Sequence, residues 1–153
     1  MVMNLRMLFL VLCLLTIGGG VDANAQVDSV SQIEADVPFD FVVGDTKLPA
    51  GKYQIRTVDH AAYDVLQISS AKGRRKSVIF ETAEMDTGND RIGSKTELVF
   101  DKVQGQYFLS QIWVAGSSTG NLLTESEMEK RLTSDGSQSE RQSVVAALKR
   151  LKP

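Results

Sequence analysis

Side chains able to do chemistry are sparse in this chain, and none stands in a catalytic spacing. His60 is the one histidine, in the polar stretch Asp59-His60-Ala61-Ala62, where a solvated side chain is expected. A zinc site draws on several His or Cys ligands, and one histidine with one cysteine does not supply them. A nucleophilic triad would have to use His60, and no G-x-S-x-G elbow presents a serine. Asp86, Asn89 and Asp90 gather in Asp86-Thr87-Gly88-Asn89-Asp90. Calcium takes oxygen ligands of this kind, but the glycine position and closing glutamate of an EF-hand loop are missing, so a polar turn is expected. Glu34, Asp36 and Asp40 share the polar side of one alternating run. Paired carboxylates can act as acid and base; charges on an edge strand also block edge-to-edge association, and that is the favoured reading. Arg74-Arg75-Lys76 is expected to be a solvated strand entrance, with contact to an anionic envelope or extracellular polymer as the alternative. Tyr53, Tyr107 and Trp113 are the candidates for lining a ligand pocket in a barrel mouth, set against plain core roles. No catalytic residue, metal ligand set or cofactor motif is expected.

The elements that must position these residues start behind an export signal. Arg6 precedes an apolar run from Met7 to Ile17, then Gly18 to Gly20, then Ala23-Asn24-Ala25. Basic, short apolar and small-residue segments in that order describe a secretory signal peptide over residues 1–25, cleaved between Ala25 and Gln26. The run falls short of the roughly 20 residues a membrane-spanning helix needs. Residues 26–32 read as a loose lead-in and 33–153 as a single β-rich domain. Cys13, the one cysteine, leaves with the signal, so stability must come from burial without disulfides, although an exported protein could form them. A net charge of −2 gives no reason to expect nucleic-acid binding.

The remainder alternates with period two. Ile33, Ala35, Val37, Phe39, Phe41 and Val43 share one face of a first strand. Pro38 cannot donate to a ladder, so this strand is expected at an edge or bulged. Leu48-Pro49-Ala50-Gly51 makes a turn into a second strand, Lys52 to Val58, and residues 37–55 read as a hairpin. Further strands are expected over Tyr63 to Ser69, Ser77 to Thr82, Thr96 to Lys102 and Tyr107 to Val114. In the last of these Phe108, Ile112 and Val114 lie on one face and Tyr107, Leu109 and Trp113 on the other, so both faces need cover. Residues 115–120 read as flexible. Thr124-x-x-Glu127 matches a capping box, followed by a helix with Met128 and Leu132 on one face as the cover for Trp113. Residues 134–142 are polar and read as unstructured. Val144 to Leu148 fits a helix or, preferably, a closing strand paired with the first. The fold expected is mainly β, an antiparallel meander barrel or partly open barrel with one short C-terminal helix. A two-sheet sandwich is the alternative.

The runs VPFDFVVGDTKLPAGKY, GQYFLSQIWVAGSSTG and LLTESEMEKRL resemble a family of small secreted β-rich proteins of soil bacteria. That family shares a signal peptide, a VPFxFxVGxxxLPAGxY hairpin and a YFLxxxW strand. The resemblance spans about Ile33 to Leu132 and implies a β-rich fold and export, without assigning site residues. The function expected is a non-catalytic binding or envelope or extracellular structural domain, periplasmic or released. The alternatives are a lipocalin-like carrier of a small apolar ligand and, behind it, a carboxylate-based enzyme. A carrier requires an apolar cavity, and a barrel filled by Phe39, Phe41, Phe100 and Phe108 would count against it.

Overall fold

The computed structural model describes residues 31–59, 62–71, 76–86 and 94–150. Its strands are β1 (Ser31–Val37), β2 (Phe41–Val43), β3 (Thr46–Leu48), β4 (Gly51–Asp59), β5 (Ala62–Ser70), β6 (Ser77–Asp86), β7 (Glu97–Val103), β8 (Gln106–Trp113), β9 (Thr119–Leu123) and β10 (Glu140–Arg150). One helix, α1 (Glu127–Ser134), precedes β10. Eight strands close an antiparallel barrel in the order β1-β4-β5-β6-β9-β8-β7-β10, with β10 returning to β1. This is the expected barrel with a short helix, rather than a sandwich. Two meanders build it, β4-β5-β6 and β7-β8-β9, joined where β9 pairs with β6.

β10 is the closing strand foreseen around Val144 to Leu148. It pairs with β1 through Ile33↔Leu148 and Ala35↔Ala146, and with β7 through Val144↔Leu98. It begins at Glu140, so residues 140–142, expected to lack structure, belong to the barrel. A polar segment becomes a strand here because β7 offers a ladder and ion pairs form across it on both faces, Glu140 with Lys102 and Arg141 with Asp101.

The first strand departs from its expected form. The chain leaves the ladder at Pro38, the residue without a backbone donor. β1 ends at Val37 and pairs on both sides, with β10 and β4, so it is no edge. The hairpin of residues 37–55 is really β1 against β4, Val37↔Gly51 to Gln32↔Arg56. A smaller hairpin, β2–β3, is inserted between them, and β2 lies parallel to the start of β8. Leu48-Pro49-Ala50-Gly51 remains a turn, now linking β3 to β4.

β9 was missed by sequence because Thr119-Gly120-Asn121 has turn composition. Tertiary pairing overrides it: β9 fills the gap between β6 and the second half of β8. Gly120 faces Trp113 across that pairing. A Cβ on Gly120 would lie 2.5 Å from two carbons of the indole, so the ring lies flat on a site that only glycine leaves free. Trp113 is therefore covered by β9, with its Nε1 donating to Gln111 Oε1 at 3.0 Å, and not by the helix.

The face assignment within β8 also changes. Phe100 pairs with Leu109 but Val99 with Gln111, so Ser110 is an extra residue, a bulge. Ser110 Oγ donates to the Val99 carbonyl at 3.2 Å. The alternation reverses there: Tyr107, Leu109, Ile112 and Val114 join the barrel core, whereas Phe108 lies outside with Val42 and Val103 under Leu132 of α1. The helix cap sits two residues later than Thr124. Ser126 Oγ accepts from Glu129 N–H at 3.1 Å, and Ser126 N–H returns a bond to the Glu129 carboxyl, a capping box of the expected kind. The shift turns Met128 to solvent and leaves Leu132 as the anchor.

Candidate functional site

The two ends of the barrel are filled differently. At one end, where β4, β6 and β8 begin, aromatic rings plug the interior. Phe41 meets Tyr53 edge-on at 5.1 Å and Phe100 at 5.4 Å. Phe39 stacks on Tyr107 at 3.8 Å and meets Phe100 edge-on. Phe41, Phe100, Leu48, Val37 and Val43 are fully buried. α1 caps the outside of this end.

At the opposite end the rings give way to aliphatic side chains and an open cavity of about 590 Å³. Its floor is Ile33, Ile55, Leu66, Ile112, Val114 and Leu148, drawn from five sequence segments that the barrel brings together. Nearer the rim come Thr57, Asp64, Thr82, Glu84, Thr119 and Asn121. Alternation places them: Asp64 follows the inward set of Leu66 and Ile68 on β5, and Glu84 that of Phe80 and Thr82 on β6. Thr82 is buried, and its hydroxyl reaches both the Asp64 carbonyl and Asn121 Oδ1 at 3.1 Å. That bond ties β5, β6 and β9 together at the cavity wall. Thr96 closes the neighbouring wall: its Oγ1 accepts from Ala115 N–H at 3.1 Å and its carbonyl from Ala146 N–H at 2.8 Å.

The aromatic candidates lie elsewhere. Tyr53 is buried in the plug, donates to the Pro49 carbonyl at 2.6 Å, and has its hydroxyl pKa raised by burial and by the charge of Asp40. Tyr107 stacks on Phe39, and Trp113 rests on Gly120 outside the barrel. None of the three is in the cavity lining. Glu34, Asp36 and Asp40 are on the outside, each engaged locally. Glu34 pairs with Lys149, whose ammonium holds its carboxyl below the usual range, and accepts from Gln32 and Gln54. Asp36 lies 4.0 Å from Lys52, and Asp40 Oδ1 accepts from Ala50 N–H at 2.9 Å. Because β1 is paired on both sides, these charges tie strands and turns together and do not guard an edge. His60, the pair Arg74-Arg75, Asn89, Asp90 and the cleavage position at Ala25–Gln26 lie outside the described residues.

Sequence reading passed over Asp64, Thr82, Glu84 and Asn121. The available signal was a carboxylate two positions along the apolar face of a strand, as in Asp64-x-Leu66-x-Ile68. Among the described residues no group of three or more His, Cys, Asp or Glu could hold a metal ion. No helix among them is long and apolar enough to cross a membrane. No family model, curated protein or solved structure matches the chain.

Proposed function

We propose that this protein is a non-catalytic binding domain that holds one small, largely apolar molecule in the open half of its barrel. The observation that carries this reading is the unequal filling: aromatic rings occupy one end, while about 590 Å³ lined by six aliphatic side chains stands open at the other. An eight-stranded barrel has an interior of the size that either side chains or one small ligand can fill, and small-molecule sites are concave and mostly apolar. Phe39, Phe41 and Phe100 fill only the plugged end, and Phe108 is outside, so the rings that would have excluded a carrier leave room for one. The non-catalytic part draws support from Glu34, Asp36 and Asp40, whose oxygens serve strand and turn contacts away from the cavity. The export signal read over residues 1–25, together with the resemblance to small secreted bacterial proteins, supports a periplasmic or extracellular setting for this binding.

The test is fluorescence titration of the purified protein with the uncharged probe N-phenyl-1-naphthylamine. One saturable site per chain is expected, lost in Val114→Trp, whose indole would occupy the cavity. Absence of saturable binding, or binding that Val114→Trp leaves intact, overturns the reading.

A further inference from the structure

Five carboxylates away from the cavity face cations: Asp36 with Lys52, Glu34 with Lys149, Asp101 with Arg141, Glu140 with Lys102 and Glu127 with Lys130. Asp64 and Glu84, on the inner face at the cavity rim, have no ion-pair or hydrogen-bond partner for their carboxylates among the described residues. The β5–β6 register sets Val65 against Glu81, which brings Asp64 level with Thr82 and makes Glu84 its diagonal neighbour on the same face. Diagonal residues of this kind stand roughly 7–8 Å apart, a span that one positive group can bridge. Glu84 also faces Asn121 directly across the β6–β9 pairing. The cation in the lining, Arg56, sits at an outward position of β4, where its Nε donates to Gln67 Oε1 at 2.9 Å. Two carboxylates thus overlook an aliphatic floor with no protein cation turned toward them among the described residues.

We infer that the ligand of this cavity is a cationic amphiphile: an organic amine or ammonium whose apolar body lies on Ile33, Ile55, Leu66, Ile112, Val114 and Leu148, with its positive head between Asp64 and Glu84. This rests on the binding reading above and names the ligand class. The apolar wall lowers the local dielectric, so a charge at the rim is screened less than on the open surface. The same rim rejects a carboxylate head, because like charges oppose it at the position where the cation is held.

The experiment compares three probes with the same eight-carbon chain, octyltrimethylammonium, octanol and octanoate, by calorimetric titration at low and high salt. The ammonium is expected to bind about tenfold more tightly than the alcohol, with octanoate weakest, and added salt narrows the gap. The double variant Asp64→Asn, Glu84→Gln keeps shape and should bring the ammonium down to the alcohol; circular dichroism confirms that it is folded. If the alcohol binds as well as the ammonium and the variant changes nothing, the charge inference fails while the binding reading stands. If none of the three binds, both fail.

Discussion

The plugged and the open end of this barrel are built on the same eight strands and differ in what their inward positions carry. At the plugged end these are rings, interlocked edge to face around Phe41 and Phe100. At the open end they are branched aliphatics, then threonine, asparagine and carboxylate toward the rim. Rings near 5 Å fill space and fix one another's orientation. Aliphatic side chains on the curving wall of a barrel do not reach across it. With the proposed function, stability falls to one end and binding to the other, and substitutions at the two ends should separate the two properties.

The largest effect is expected from Phe100→Ala. The side chain is fully buried and touches Phe39 and Phe41, so truncation should cost about 3–5 kcal/mol, read as a lower midpoint in chemical denaturation. Probe binding at the open end, measured below that midpoint, should persist. A loss of binding larger than the unfolded fraction explains would join the two ends and break the contrast. Next comes Gly120→Val, at the seam where β9 closes the barrel on β6 and β8. Its Cβ would enter the Trp113 ring, so β9 must shift or the indole must leave, at about 1–3 kcal/mol. Amide hydrogen exchange should rise in Thr119–Leu123 before it rises in β1 or β4. Uniform exchange across the barrel would show that the seam is no weaker than the rest.

What could be read in advance follows the same division. The barrel, its strands other than β9 and its closure by Val144 to Leu148 were legible because alternation and turn residues are local signals. The plug was legible in part, since Phe39 and Phe41 sit on a clearly apolar face. Three features depend on partners distant in sequence and were misread. Ser110 reverses the alternation of β8 only because β7 skips it in pairing. Gly120 looks like a turn until Trp113 is seen lying on it. The break at Pro38 was visible, but not that β2 would move to the side of β8. The cavity was hidden for a further reason: its rim is made of ordinary polar residues, Asp64, Thr82, Glu84 and Asn121, and only closure turns them inward. Aromatic residues drew attention first, and they belong to the end that is full.

A third effect is smaller and sensitive to pH. Glu129 is the one buried charged side chain among the described residues. Burial first, then the charges of Glu125 and Asp101, push its carboxyl up to about 7. An unfolded chain would hold the same group near 4.5. Between those values the folded protein keeps a proton that the unfolded one has lost, so stability falls as pH rises through the window and levels off above it. Glu129→Gln keeps an acceptor for Ser126 N–H and removes the charge. After allowance for solvent screening at the helix rim, it should raise stability by about 1–2 kcal/mol at pH 8 and change little at pH 4. Equal effects at both values would remove ionisation as the cause.

The smallest effect is expected at the open end and tests the contrast most directly. Leu148 lies on the cavity and is 38% exposed. Deleting a buried leucine usually costs 2–5 kcal/mol because a new void is left behind. Here the void already exists and water reaches it, so Leu148→Ala forfeits only the half-buried methyl groups, about 1 kcal/mol by area. Affinity for the neutral probe should nevertheless fall, since that side chain is part of the floor. Phe100→Ala and Leu148→Ala then form a crossed pair, one costing stability and sparing binding, the other sparing stability and costing binding. If Leu148→Ala destabilised the fold as much as Phe100→Ala, the open end would be as tightly packed as the plug, and the space assigned to a ligand would belong to the core.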